Sequence, residues 1–101
     1  MNHRFHDEAL DDIDAAVNYY HAVVANGRAF AAEIKRIVGL LVVTPQMFSK
    51  AAGAPRGREI RVVKIGRFDY LLYHEVLATE VVTLAVVHAK RRSRVWRKRK
   101  P

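Results

Sequence analysis

Between Asp7 and Ala25 the apolar residues Ala9, Leu10, Ile13, Ala16, Val17, Tyr20 and Val23 or Val24 recur at three- and four-residue spacing, and acidic residues fill the other side. That period predicts an amphipathic helix. Its acidic first turn complements the helix dipole, and Asn26-Gly27 supplies the stop. A second stripe of Phe30, Ile34, Ile37, Val38 and Leu41 predicts another helix that starts just after Gly27 and ends at Pro45. The short connection makes the two helices antiparallel neighbours. Gln46 to Gly57 carries Gly53, Pro55 and Gly57 and reads as a loop. The period then changes. Arg58 to Ile65, Phe68 to Val76 and Glu80 to His88 are rich in Ile, Val and aromatic residues, and tight turns at Gly66-Arg67 and Leu77 to Thr79 separate them. The last of the three is an almost unbroken apolar run, suited to a central strand covered on both faces. His3 to His6 is a candidate for one further strand. An α+β fold follows: N-terminal strand, antiparallel two-helix hairpin, then a three-stranded antiparallel meander.

A length of 101 residues accommodates one domain, placed at residues 1–96, with a short basic tail at 97–101. The absence of cysteine removes disulfides, thiolate metal sites and cysteine nucleophiles together, and fits a reducing compartment. No apolar run approaches the roughly 18 residues of a membrane span, and the acidic N-terminus lacks the shape of a signal peptide, so a soluble, cytoplasmic protein without membrane attachment is expected. Charge separates the halves. Met1 to Pro55 holds 5 basic and 6 acidic residues, whereas Arg56 to Pro101 holds 13 basic and 4 acidic ones. After Glu80 there is no acidic residue, while Lys90, Arg91, Arg92, Arg94, Arg97, Lys98, Arg99 and Lys100 follow closely. Such a block either attracts polyanions and acidic partners or is a solvated tail that keeps the domain soluble.

Several motifs resemble those of one family. Phe5-His6-Asp7-Glu8-Ala9 is similar to an opening "FHPEA", and Tyr19-Tyr20 falls where a helix-borne Tyr pair is usual. Phe30 and Glu33 stand where the second helix begins. Arg61 precedes Arg67-Phe68-Asp69-Tyr70, which resembles the "RFPY" of a strand start, and His88 to Trp96 resembles the closing "HxxRxPxYW". In order and spacing the series resembles the RelE/ParE toxin superfamily of type II toxin-antitoxin modules, often labelled plasmid stabilisation proteins. Three positions depart from it: Asp69 and Ser93 stand for Pro, and Val95 for Tyr. The resemblance implies the same strand, two helices and meander, a toxin that arrests growth, and a cognate antitoxin as protein partner. It also implies one of two targets. Some members poison DNA gyrase and have no catalytic site, while others cleave messenger RNA on the ribosome.

Metal-independent endoribonuclease chemistry needs a base, an acid, cations for the charged transition state and a surface for the splayed base. His88 and Arg91 are the candidate catalytic pair, since imidazole changes charge near neutral pH and guanidinium is a bidentate phosphate fork. Arg61, Lys90, Arg91 and Arg94 are candidates for holding phosphate or another acidic target, and Trp96 for stacking on a base. Each has a structural rival: His88 as a hydrogen-bonded strand end, Arg61 as the partner of Glu59, Trp96 as an aromatic that ties the terminus to the body. Tyr19, Tyr20, Phe68 and Tyr70 read as core. The remaining histidines lack metal-ligand spacing, so neither a metal nor another cofactor is expected, nor a small-molecule substrate. Whether the chain is an enzyme stays open. The leading reading is a toxin acting on gyrase or another core machine; a ribosome-dependent mRNA interferase and a non-toxic nucleic-acid- or partner-binding module are the alternatives.

Overall fold

The computed structural model describes residues 1–24, 26–91 and 94–101. Ala25, Arg92 and Ser93, assigned above to a helix end, the basic run and the closing motif, lie outside the described residues, as do the side chains of Val23 and Val24. The chain forms β1 (Asn2–Phe5), α1 (Asp7–Val24), α2 (Gly27–Val43), β2 (Ser49–Lys50), β3 (Ile60–Lys64), β4 (Tyr70–Val76), β5 (Glu80–His88) and α3 (Val95–Lys98). Within the described residues the five strands make one mixed sheet, ordered β1-β5-β4-β3-β2. β1 lies parallel to β5, and the remaining pairs are antiparallel. The helical hairpin and the meander agree with the periodicity. The strand count does not: Ser49–Lys50, expected within a loop, adds a two-residue strand beside Arg61 and Val62. Two residues are too short for any period to register.

Gly27 has a different task from the one its neighbours suggest. It is the first residue of α2, and a Cβ there would stand 2.9 Å from the Val17 carbonyl. Close approach of the two helices therefore excludes a side chain. Gly66 does act as a turn glycine, with φ +53° between β3 and β4.

The hairpin packs on one face of the sheet, where Phe30, Ile34, Ile37 and Leu41 of α2 meet Leu72 of β4 and Val81 and Val86 of β5. At one end of this layer the rings of Tyr20, Phe30, Phe68 and Tyr70 cluster, with neighbouring centroids 4.9–5.7 Å apart. The opposite face has its own core of Ala51, Ile60, Val82, Leu84, Ala85 and Trp96. A register shift between Tyr73 and His74 breaks the simple alternation of β5, so that Leu84 and Ala85 both join the second core and Val86 returns to the first. This explains a strand that is apolar on both faces.

Candidate functional site

β5 ends at His88, opposite Tyr70 at the start of β4, and the two rings meet edge to face at 5.1 Å. The Lys90 backbone N–H donates to His88 Nδ1 at 3.1 Å, which leaves Nε2 to carry the proton of the neutral ring. Arg91 is exposed and closes the turn by donating its N–H to the His88 carbonyl at 2.9 Å. His88 and Arg91 border a groove of about 670 Å³ between α1 and the end of β5, walled also by Asp12, Tyr19, Tyr70, Val95 and Arg99. Burial pushes the Tyr70 hydroxyl above its ordinary pKa, and the nearby Arg91 charge opposes that shift. His88 and Arg91 are thus brought together at one strand end, beside two phenols. Tyr19, read as core, is 54% exposed and belongs to this groove. Helical spacing identifies a face without saying whether the sheet covers it.

The other expected contributors lie elsewhere. Arg61 pairs across β3 and β4 with His74, four residues along β4 from Tyr70 and therefore roughly 13 Å from the groove. Its guanidinium donates to Glu59 at 2.9 Å and to the Phe48 carbonyl at 2.7 Å. A phosphate would have to displace both. Trp96 corrects the stacking expectation: it is 3% exposed, and its ring lies flat on Tyr73 with centroids 4.7 Å apart and planes within 8°. No ring face remains for a base. Arg94 is exposed, with Nη1 3.6 Å from where a Cβ on Gly53 would stand, and Lys90 is exposed beside His88. Val95 lines the groove at the position of the departed Tyr.

Arg99 was not singled out by sequence, yet it is the best-anchored cation of the groove. Its Nη1 donates to Asp12 at 2.6 Å and to the Leu84 carbonyl at 2.8 Å, and its Nε lies 3.3 Å from Glu8. The segment around it, read as a basic tail, is fastened from the other side by Arg58, which donates to the Arg97 and Arg99 carbonyls at 3.0 and 2.8 Å and pairs with buried Glu75.

A polar row of half-buried His3 and buried Thr83 and His74 lies on the helix side of the sheet, away from the groove. His3 meets the Thr83 hydroxyl at 2.7 Å, and His74, 0% exposed, has Nε2 3.3 Å from the Pro45 carbonyl. Burial above all, helped by the Arg61 and His3 charges, lowers the His74 pKa to about 4. A ring held neutral in this way serves packing and not proton transfer near neutral pH. Among the described residues no three His, Asp or Glu side chains gather where they could hold a metal ion, and no helix is long and apolar enough to cross a membrane.

Residues 3–93 match the family described as the ParE toxin of the type II toxin-antitoxin system, parDE. In architecture the chain is similar to a solved structure titled as the chromosomal ParDE toxin-antitoxin system from P. aeruginosa. The TM-score is 0.71 at 18% identity, covering 89% of this chain and 97% of the other. No curated protein matches the sequence.

Proposed function

Because the chain belongs to the ParE toxin family of type II toxin-antitoxin systems, we propose that it arrests growth by acting on DNA gyrase through a recognition surface. The observation that carries this choice is the dispersal of the cleavage parts. Arg61 is occupied some distance from His88, and Trp96 is buried against Tyr73, so neither the expected phosphate-holding arginine nor the expected indole joins the histidine, two phenols and Arg91 of the groove. RNA cleavage requires the parts to converge on one phosphate, whereas inhibition by binding requires only complementary shape and charge. The exposed cations Lys90, Arg91 and Arg94 supply the charge.

The antitoxin is the cognate protein partner in this reading. A second groove, nearly all apolar and formed by Phe5, Leu10, Ile13, Ala31, Ile34 and Val38, runs between the helices and β1 and suits the apolar face of an amphipathic segment. The basic second half of the chain steers an acidic partner, so association slows with added salt while the apolar part of binding persists.

Pulse labelling after induction of the chain alone tests the target. Early loss of DNA synthesis with an SOS response supports gyrase. Early loss of protein synthesis with cut messages replaces it with the ribosome, and unimpaired growth at verified expression rejects a toxic role altogether. Restored growth on co-expression of the antitoxin completes the test.

A further inference from the structure

β5 is nine residues long, but its parallel neighbour β1 covers only Glu80 to Thr83. At His6 the chain donates a last N–H to the Thr83 carbonyl and turns into α1. Among the described residues no strand lies beside this edge of β5 from Leu84 onward, and such an edge presents unpaired donors and acceptors. Two side chains stand in for the missing strand. Asp12 of α1 accepts the Val86 N–H at 3.0 Å, and Arg99 donates to the Leu84 carbonyl at 2.8 Å. The same Asp12 oxygen then accepts Arg99 Nη1 at 2.6 Å, joining the two substitutes into one plug.

We propose that the segment from Val95 to Arg99 is an electrostatic latch, which when closed plugs the free edge of β5 and walls the His88 groove, and when open uncovers both as one local unit. The segment crosses the back of the sheet on Trp96, which stacks on Tyr73 and joins the buried cluster of Ala51, Ile60, Val82, Leu84 and Ala85. Its four-residue helix is too short to persist alone. Charge holds it as well: Arg99 to Asp12 and Glu8, and Arg58 to the Arg97 and Arg99 carbonyls. Glu8 is 64% exposed, so salt reaches the rim of the plug, while the helix-side core is indifferent to it. A terminal segment with one buried side chain, as 94–101 has in Trp96, opens at a lower free energy than the whole domain. Opening removes Val95 and Arg99 from the groove wall and returns the Leu84 carbonyl and Val86 N–H to solvent. The regulatory consequence rests on the groove being the working surface; the latch itself rests on these contacts alone, so its test reads structure and not toxicity.

Trp96 is the single tryptophan and reports on the latch directly. On raising NaCl from about 50 to about 500 mM, its emission should shift to the red and become more accessible to acrylamide. Over the same range the Val86 amide should exchange about tenfold faster, while the Ile34 and Ile37 amides keep their rates. Arg99→Gln should reproduce the open signals at low salt, and Arg99→Lys should fall between. Emission and Val86 exchange that ignore both salt and Arg99→Gln overturn the latch. So does acceleration of all amides together, which makes the segment part of the global core. If Arg99→Gln does not fold, the salt series on the unaltered chain decides by the same two readings.

Discussion

On the helix side of the sheet, Phe30, Ile34, Ile37 and Leu41 press on Leu72, Val81 and Val86, and the polar groups beside them are the row of half-buried His3 with buried Thr83 and His74. On the far side Trp96, stacked on Tyr73, closes a smaller apolar cluster of Ala51, Ile60, Val82, Leu84 and Ala85, and two arginines, Arg58 and Arg99, grip backbone carbonyls and carboxylates. The first layer is held by burial, which is non-directional and tolerates salt. The second adds to its smaller apolar cluster charge-assisted hydrogen bonds, which are directional, depend on both partners and weaken as ions screen them. One sheet thus separates a face closed by burial from a face whose cover combines burial with charge.

The largest expected effect lies on the first layer. Val86→Asp places an unpaired charge in the helix-side core, a cost of several kcal/mol against a total of roughly 5 to 15, so the far-UV circular dichroism signal of the fold should be lost. A folded variant would mean that the layer is looser than its packing.

Next comes pH. His74 is neutral in the folded chain with a pKa of about 4, below the ordinary 6.5, so the unfolded chain takes up the proton first as pH falls. Stability from this group is full above pH 6.5 and declines toward pH 4, by about 3 kcal/mol in all. Urea midpoints should follow that window in the unaltered chain and lose most of it in His74→Leu.

A smaller loss belongs to the far face. Truncation after Trp96 removes the carbonyls held by Arg58 and the guanidinium held by Asp12, and should lower stability by about 1 to 3 kcal/mol, read as the urea midpoint at low salt. The difference should shrink in high salt. A truncated chain as stable as the full one would return the segment to the free tail expected from composition.

The smallest structural effect falls at the groove. Exposed Arg91→Ala should change stability by less than about 0.5 kcal/mol and half-buried His88→Ala by about 1 kcal/mol, yet both should reduce growth arrest on induction. Full toxicity in both variants moves the working surface elsewhere, most directly to the helical hairpin.

Much of this was legible in advance because it is local. The spacing of Ile34, Ile37 and Leu41 is itself the face of a helix, and Glu80 to His88 emerges as a strand with the boundaries its apolar run indicates. His88 and Arg91, three residues apart at that strand's end, could hardly fail to be neighbours. Arg61 and Trp96 were a different matter, since a guanidinium or an indole suits a phosphate or a base as well as it suits Glu59 or Tyr73. Residue type cannot choose between a ligand and a partner within the fold.

By itself, then, the sequence determined the order and kind of the main elements, the basic second half and the motifs shared with a toxin family, because period, composition and motif order are properties of the chain read along its length. Only the tertiary structure decided which cations are free and which are held. Arg99 belongs to Asp12, 87 positions away, because β1 stops short of the end of β5 and leaves backbone groups that some side chain must satisfy. Arg91, eight positions earlier in the same basic run, is exposed at the groove. That distinction depends on strand lengths and register across the sheet, which no local pattern along the basic run encodes.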